Sequence, residues 1–177
     1  MIRNKCMTGR PESGEYADYY EGYVSLANNE DDIIAALEKQ LEELTSTIRR
    51  IPDETTKERT EGKWSLREVI GHLCDAERVF CYRAFRFSRN DRKELQGFEQ
   101  DDYVREGDAN QRSVGELLEE FSLIRRSTVA TFGHITPEIG MRGGNANGQP
   151  ITVRSLLYVM VGHVRHHIKI IKERYGV

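Results

Sequence analysis

Long apolar runs are missing from this sequence of 177 residues. None approaches the roughly 18 residues that a membrane-spanning helix needs, and the opening MIRNKCMTGRPESGEY has no apolar stretch of the signal-peptide kind. Prolines are also few, only four, while 31% of the residues are charged and 38% are hydrophobic. This composition is typical of a folded, largely helical protein. We therefore expect a cytoplasmic protein with no membrane partner.

Cysteine and one-sided charge are scarce as well. The three cysteines, Cys6, Cys74 and Cys81, form no C-x-x-C pair and leave an odd one over, unlike a secreted disulfide framework. Reduced thiols are expected. The formal net charge of −3 comes from mixed signs along the chain, so no basic stripe is available to neutralise phosphates. The pattern argues against nucleic-acid binding.

What the sequence does contain is helical periodicity. Four segments repeat apolar residues every three or four positions, the spacing of one helical face, and they cover about 31–52, 65–88, 113–135 and 152–176. Two of them open with a capping box, Ser65 with Glu68 and Ser113 with Glu116. With no convincing strand, the pattern predicts an all-α four-helix bundle in a single domain, 1–177, whose long connections allow a departure from simple up-down threading.

Two segments outside the predicted helices are long and aromatic. Residues 1–30 combine interrupting glycines with Tyr16, Tyr19, Tyr20 and Tyr23, which predicts an N-terminal arm packed on the bundle. The loop at 89–112, between the second and third helices, is longer than a bundle turn requires. The rings of both segments, including Phe98 and Tyr103, could close over a site, or they could only seal the bundle or a dimer interface.

Histidines on the last predicted helix form the strongest local signal. His163 and His167 are four residues apart, one turn above each other, within the helix's apolar stripe. His166 points away from that stripe, and His134 looks like a surface residue at a helix end. A shared metal ion would satisfy the buried imidazoles. Ordinary core hydrogen bonding would satisfy them too, and for the pair alone it is the leading interpretation.

His72 changes that balance, because it lies on the shoulder of the second helix's apolar face and can point into the same bundle interior. Three imidazoles would leave a coordination position open for water or substrate, as in reactive rather than structural metal sites. Imidazole accepts several divalent ions. Zinc or nickel is favoured, and manganese or iron remains open.

Three further side chains on the second helix need an interpretation. Glu77 lies inside the apolar stripe, where an unpaired carboxylate is costly to bury. It could orient a ligand, act as a catalytic base, or pair with an arginine, and we favour pairing. Cys74 and Cys81 lie seven residues apart on one side of the helix. They could supplement a metal site, but packing is the favoured role.

The same residues carry a family resemblance. The stretches KWSLREVIGHLCDAERVFCYRAFR (63–86), GHVRHHIKIIKERYG (162–176), RPESGEYADYYEGYVS, GFEQDDYV and NANGQPITVRSLLY resemble the DinB-like (DinB/YfiT) superfamily and its DinB_2 branch. The resemblance implies a four-helix bundle, often dimeric. It also implies one divalent ion held by a histidine of the second helix and an H-x-x-x-H pair of the last, here His72, His163 and His167.

The functions implied by the resemblance are several. Relatives include metal-dependent hydrolases, bacillithiol-dependent S-transferases, a mycothiol-dependent isomerase and members with no known activity. We expect a metal-dependent enzyme acting on a small-molecule substrate, in which the histidine site activates either a low-molecular-weight thiol or water, with Glu77 as a candidate base. The alternative is a non-catalytic, stress-associated metal-binding bundle. A homodimer is expected from the resemblance, with Tyr158 and Val159 as spare apolar positions on the outer side of the last helix.

Overall fold

A computed structural model describes residues 9–60 and 62–177. Its elements follow one another as α1 (Glu21–Leu26), α2 (Ile33–Ile48), α3 (Leu66–Ser88), α4 (Gln100–Glu106), α5 (Val114–Phe132), α6 (Pro137–Gly140), β1 (Gly143–Ala146), β2 (Gln149–Thr152) and α7 (Val153–Tyr175). The expectations for Cys6 and for the first eight residues of the arm lie outside the described residues. Within the described part of the chain, no helix is both long and apolar enough to cross a membrane.

Four long helices, α2, α3, α5 and α7, form the predicted all-α bundle. Both α2 and α3 pack against α5 and against α7, so α2 lies diagonally opposite α3, and α5 opposite α7. The connections at 49–65 and 133–152 therefore each carry the chain across the bundle to the diagonal position. This arrangement departs from simple up-down threading, in which consecutive helices are neighbours.

The helix ends follow the capping signals. In both predicted capping boxes the serine hydroxyl accepts from the glutamate amide while the glutamate side chain accepts from the serine amide, at Ser65–Glu68 and Ser113–Glu116. Gly176, at φ +66°, ends α7. Helix α2, the first of the four predicted helices, is shorter than predicted: it ends at Ile48, and Ile51 is buried in the turn that follows. An apolar pattern marks buried positions, and here the buried positions continue past the end of the helix.

The expectation that the chain has no strand is wrong. Strands β1 and β2 pair as an antiparallel hairpin, with Gly143 opposite Thr152 and Ala146 opposite Gln149. Asn147 and Gly148 form its turn with φ of +54° and +72°, as expected of an Asn-Gly hairpin turn. That dipeptide was the available signal. It was obscured because the strands are only four residues long and GGNA lacks the β-branched residues typical of strands.

The interior consists of two apolar clusters with a polar layer between them. One cluster joins residues 33–37 of α2, 76–87 of α3 and 153–161 of α7, and the other joins 44–48, 66–74 and 164–171 of the same helices. Between them, buried polar side chains come from all four bundle helices: Gln40, His72, Glu77, Arg125 and His163. The polar layer therefore crosses the middle of the bundle.

The described part of the arm, residues 9–30, packs along α7. Tyr16, Tyr20 and Val24 are buried in the same cluster as the first half of α7. Tyr158 and Val159 are 1% and 0% exposed, and the Tyr158 hydroxyl donates to the Glu30 carbonyl at 3.3 Å. The prediction that these two residues are spare positions on the outer side of α7 is wrong. Helix periodicity identifies an apolar face but not the segment that covers it, which here is the arm.

Candidate metal centre

The structure brings His72, His163 and His167 together at one point in the bundle. His72 projects from α3, and the other two project from successive turns of α7. The Nε2 atom of His163 lies 3.0 Å from Nε2 of His72 and 3.2 Å from Nε2 of His167. All three ligand atoms lie within 4.8 Å of one another. The three predicted ligands thus form one cluster, which we call the histidine cluster.

Burial keeps the histidine cluster uncharged. The three side chains are 3–8% exposed, and desolvation lowers the pKa of His72 to about 4 and that of His167 to about 3. For His163 desolvation comes first and the neighbouring histidines add to it, so its pKa is also lowered. Neutral imidazole is the form that ligates metals. At neutral pH no proton has to be displaced before an ion is bound.

The spacing of the cluster suits a metal ion. Ligand nitrogens about 2.0–2.1 Å from a tetrahedral zinc ion lie about 3.3 Å from one another. Two of the three pairs, at 3.0 and 3.2 Å, are close to this value, and all three atoms lie within 4.8 Å of one another. Hydrogen bonds between the imidazoles do not explain the arrangement as well, because Nε2 of a neutral imidazole either donates or accepts but cannot do both. Nε2 of His163 has two Nε2 neighbours, those of His72 and His167. The donor set and its spacing therefore fit a divalent cation.

Aromatic rings surround the cluster. Tyr23 of α1 packs edge-on against His163 with ring centroids 5.3 Å apart, Phe80 of α3 lies 5.7 Å from the same ring, and Trp64 lies 4.8 Å from His72. These rings come from the arm, from α3 and from the residue before its cap. They restrict water around the imidazoles, which strengthens electrostatic interactions at the site.

His134, His166, Cys74 and Cys81 lie outside the cluster. His166 packs beside Tyr23 and His167, and His134 is exposed. The Cys74 thiol is buried and donates to the Leu117 carbonyl at 3.7 Å, and burial raises its pKa to about 12. A thiol held neutral in this way is a poor metal ligand. Cys81, half-buried at the edge of the apolar core, likewise fits the favoured packing role.

Glu77 is held by an arginine. Its two carboxylate oxygens accept from Nε and Nη2 of Arg125 at 2.8 and 3.0 Å. Arg125 also donates to the Gln40 side chain and to the Leu37 carbonyl, and Gln40 donates to the Val161 carbonyl. The favoured interpretation, pairing with an arginine, is the one observed. A carboxylate with both oxygens engaged is badly placed to take a proton from water, which weighs against Glu77 as a base.

Two cavities with different linings reach the histidine cluster. One, of about 650 Å³, is bordered by Lys63, Trp64, Asp101, His167 and Arg174, and we call it the tryptophan cavity. The other, of about 300 Å³, is reached by His72 and His163 and is bordered by the arm and by the 89–112 segment; we call it the arginine cavity. Its wall includes Tyr19, Tyr20, Tyr23, Arg83, Phe98 and Asn147.

Sequence reasoning missed three residues at these cavities. Trp64 and Asp101 lie in connections, and Asp101 acts on His72, since its negative charge opposes the lowering of that pKa. Arg83 lies on the same side of α3 as His72. In the sequence it could not be distinguished from the many other charged residues. The available signal for Arg83 was its spacing, eleven residues after His72, which places both on one side of a helix. Of the aromatic residues for which two roles were left open, Phe98, Tyr19, Tyr20 and Tyr23 border the arginine cavity, whereas Tyr16 does not and Tyr103 packs against Phe98.

Comparison with known proteins places the chain in a family. YfiT from Bacillus subtilis matches the structure with a TM-score of 0.73 at 18% sequence identity, over 96% of this chain and 94% of YfiT. YfiT is described as a probable metal-dependent hydrolase with an unusual four-helix bundle topology. At this identity the likeness shows the shared fold. A search of curated proteins finds no match. Residues 36–171 match the DinB_2 model, which confirms the resemblance seen in the sequence: the chain belongs to the DinB superfamily.

Proposed function

We propose that the chain binds one divalent metal ion through His72, His163 and His167 and uses it to hydrolyse a small-molecule substrate. The convergence of three neutral Nε2 atoms at one point supports the proposal most directly. We favour zinc or nickel, both of which imidazole ligands accept. The description of YfiT as a probable metal-dependent hydrolase is what favours hydrolysis among metal-assisted reactions.

The chemistry divides between the ion and the chain. A divalent ion held by three protein ligands lowers the pKa of water or of a thiol bound to it, because it supplies Lewis acidity at an open position. The aromatic rings of Tyr23, Trp64 and Phe80 limit access of other water. Asp101, an exposed carboxylate on the tryptophan cavity, is better placed than Glu77 to receive a proton, since it has no arginine on both oxygens.

Elemental analysis of protein purified without added metal tests the proposal. We expect near-stoichiometric metal in the native chain and its loss in His72→Ala and in His163→Ala. His134→Ala is the matched control, because His134 is exposed and lies outside the cluster; it should retain the metal. Metal-free native protein, or retention by both cluster variants, would remove the basis of the proposal.

Turnover is tested separately with the metal-reconstituted protein. A panel of small esters, amides and lactones should contain a substrate whose hydrolysis needs the ion. Asp101→Asn should lower kcat, while Glu77 substitutions act through stability. Asp102→Asn is a suitable control, because Asp102 neighbours Asp101 in α4 but does not border the tryptophan cavity. Hydrolysis that is equally fast in metal-free protein would contradict the proposal.

Thiol transfer is a second candidate, because the histidine cluster borders two cavities rather than one. A low-molecular-weight thiol could enter the tryptophan cavity, where Lys63, Asp101 and Arg174 offer partners for a polar tail, and an electrophile could enter the other. In cobalt-substituted protein, binding of such a thiol as thiolate would produce a sulfur-to-cobalt charge-transfer band. Absence of the band with glutathione, cysteine and bacillithiol would leave hydrolysis as the proposed reaction.

Assembly and location are part of the proposal as well. A homodimer in the cytoplasm remains our prediction, now without Tyr158 and Val159 as interface residues because the arm covers them. Sedimentation velocity measures the oligomeric state directly. A sedimentation coefficient that corresponds to 20.4 kDa at all concentrations would contradict the dimer.

A further inference from the structure

Arg83 is a buried arginine without an acidic partner. Its side chain is 3% exposed, and its Nη2 donates to the Gln96 carbonyl at 2.9 Å. Across residues 9–60 and 62–177, no carboxylate oxygen lies within 4 Å of its guanidinium nitrogens. Tyr20 is a second polar neighbour, and the positive charge of Arg83 opposes the burial that raises the Tyr20 pKa. A guanidinium carries five N–H donors, so this environment leaves most of its capacity unused.

Among the described residues, the two other buried arginines are both paired with an acidic side chain. Arg125 makes a bidentate ion pair with Glu77, and Arg67 is paired with Asp53 at 3.1 Å. A buried charge without a partner is strongly destabilising unless something compensates it. Of the three buried guanidinium groups in the described part of the chain, two thus have an acidic partner within the protein. Arg83 has no such partner, so a negative charge that compensates it would have to occupy the space that it borders.

That space is the arginine cavity. Along α3, His72, Ala76, Phe80 and Arg83 recur at spacings of four, four and three residues and form one wall of it. His72 and Arg83 are separated by about 16 Å along the helix axis at 1.5 Å per residue, and helical side chains lean toward the N-terminus, here toward His72. Ala76 leaves room between them. A small, extended molecule can thus contact the guanidinium and the histidine cluster together.

We propose that the arginine cavity binds a small molecule with an oxyanion at one end, a carboxylate or a phosphate, which pairs with Arg83 while the other end faces His72 and His163. As a substrate assignment it rests on the proposed function. The phenol groups of Tyr19, Tyr20 and Tyr23 and the Asn147 amide add hydrogen-bonding partners in the same wall. Glu99 also borders the cavity, but it is exposed and makes no ion pair with Arg83. The volume of about 300 Å³ restricts the ligand to a small metabolite.

Calorimetric titration of native protein, metal-free and zinc-loaded, tests the inference with four probes: succinate, its neutral diamide succinamide, inorganic phosphate and glycerol 3-phosphate. We expect either succinate or the two phosphates to bind at least about tenfold more tightly than succinamide in both preparations, which corresponds to about 1.4 kcal/mol. The anion class that binds, carboxylate or phosphate, identifies the oxyanion. Equal binding of anions and succinamide, or no binding of any probe, would overturn the inference.

Variants locate the binding. Arg83→Gln should weaken binding of the anion at least about tenfold. Arg83→Lys should bind the anion with intermediate affinity, because lysine keeps the positive charge but lacks the paired N–H donors of the guanidinium. Arg86→Gln is the matched control: Arg86 lies on the same helix, pairs with Asp91 and does not border the cavity. Anion binding that survives both Arg83 variants, or that occurs only with zinc, would assign the anion to the ion or to another site. If Arg83→Gln does not fold, the test rests on Arg83→Lys, which should bind the anion more weakly than native protein does.

This result is separable from that of the metal analysis. If the protein retains stoichiometric metal but its anion binding does not depend on Arg83, the anion-site inference is overturned and the proposed function is not. If anion binding depends on Arg83 but the protein never retains metal, the proposed function is overturned and the anion site stands.

Discussion

At the scale of single residues, the ion pair of Glu77 and Arg125 is the most consequential polar contact in the bundle. Both side chains are 1–2% exposed, and each of their charges is compensated mainly by the other. Gln40 and the Leu37 carbonyl accept hydrogen bonds from Nη1 of Arg125. A network of this kind is satisfied only when it is complete, since removing one member leaves a buried charge without a partner.

We therefore predict a large asymmetry between single and double substitutions. Glu77→Leu should lower the free energy of unfolding by about 3–5 kcal/mol, because Arg125 stays buried and unpaired. Glu77→Leu combined with Arg125→Met should recover most of that loss. Urea unfolding monitored by circular dichroism measures both. If Glu77→Leu unfolds at the native midpoint but abolishes turnover, Glu77 is a catalytic base and the structural role is refuted.

At the scale of elements, the contact between α1 and α7 is set by one glycine. A Cβ atom added at Gly162 would lie 1.8 Å from the Tyr23 carbonyl oxygen and 2.4 Å from its carbon, both backbone atoms. The close approach brings the Tyr23 ring against His163. Helix α1 thus takes its position over the histidine cluster from the missing side chain at residue 162.

Gly162→Ala should therefore destabilise the protein, although alanine is the better helix former by about 1 kcal/mol. We expect the arm to be displaced from α7 and chymotrypsin to cleave it faster after Tyr20 and Tyr23, which are buried and half-buried in the native packing. Gly115→Ala is the matched control: its nearest neighbouring atom lies 3.9 Å from the added Cβ, so it should be neutral or stabilising. Unchanged proteolysis and stability in Gly162→Ala would contradict the proposed packing.

At the scale of the whole molecule, the histidine cluster makes stability depend on pH. Burial lowers the pKa of His72 to about 4 and that of His167 to about 3, and it lowers that of His163 as well. In the unfolded chain these groups titrate near 6.5. Between about pH 6.5 and pH 4 the unfolded state therefore binds more protons than the folded state, so acid favours unfolding in this window.

For metal-free protein we predict that the free energy of unfolding falls as the pH drops from 6.5 to 4. The slope should reach about 4 kcal/mol per pH unit if all three histidines contribute. Denaturant titrations at half-unit pH intervals measure it. A variant with glutamine at 72, 163 and 167 should be nearly flat above pH 4.5, whereas exposed His134→Gln should retain the native slope. Equal slopes in native and triple-substituted protein would contradict neutral buried histidines.

Metal removal should also be visible in global stability. An ion that binds only the folded chain, present at 100 times its dissociation constant, adds about 2.7 kcal/mol to the free energy of unfolding. We expect chelation to lower the melting temperature of native protein and to leave that of His163→Ala unchanged. A chelator effect of the same size in His163→Ala would place the stabilising ion elsewhere.

The sequence by itself determined the four bundle helices and much of the candidate site. Periodic apolar faces, two capping boxes and Gly176 are local signals, so α3, α5 and α7 begin or end close to where they are predicted. His72, His163 and His167 could be named because helix geometry determines which residues share a face. The favoured pairing of Glu77 with an arginine followed from the cost of burying a lone carboxylate, although the identity of Arg125 did not.

Only the tertiary structure decided which faces meet and what covers them. Three features depend on contacts between residues distant along the chain: the diagonal placement of α2 and α3, the burial of Tyr158 and Val159 beneath the arm, and the lack of an ion-pair partner for Arg83 among the described residues. Periodicity reports the orientation of a side chain relative to its own helix axis. It carries no information about the neighbour that fills the space beyond, and that neighbour decides whether a buried charge has a partner or a cavity beside it.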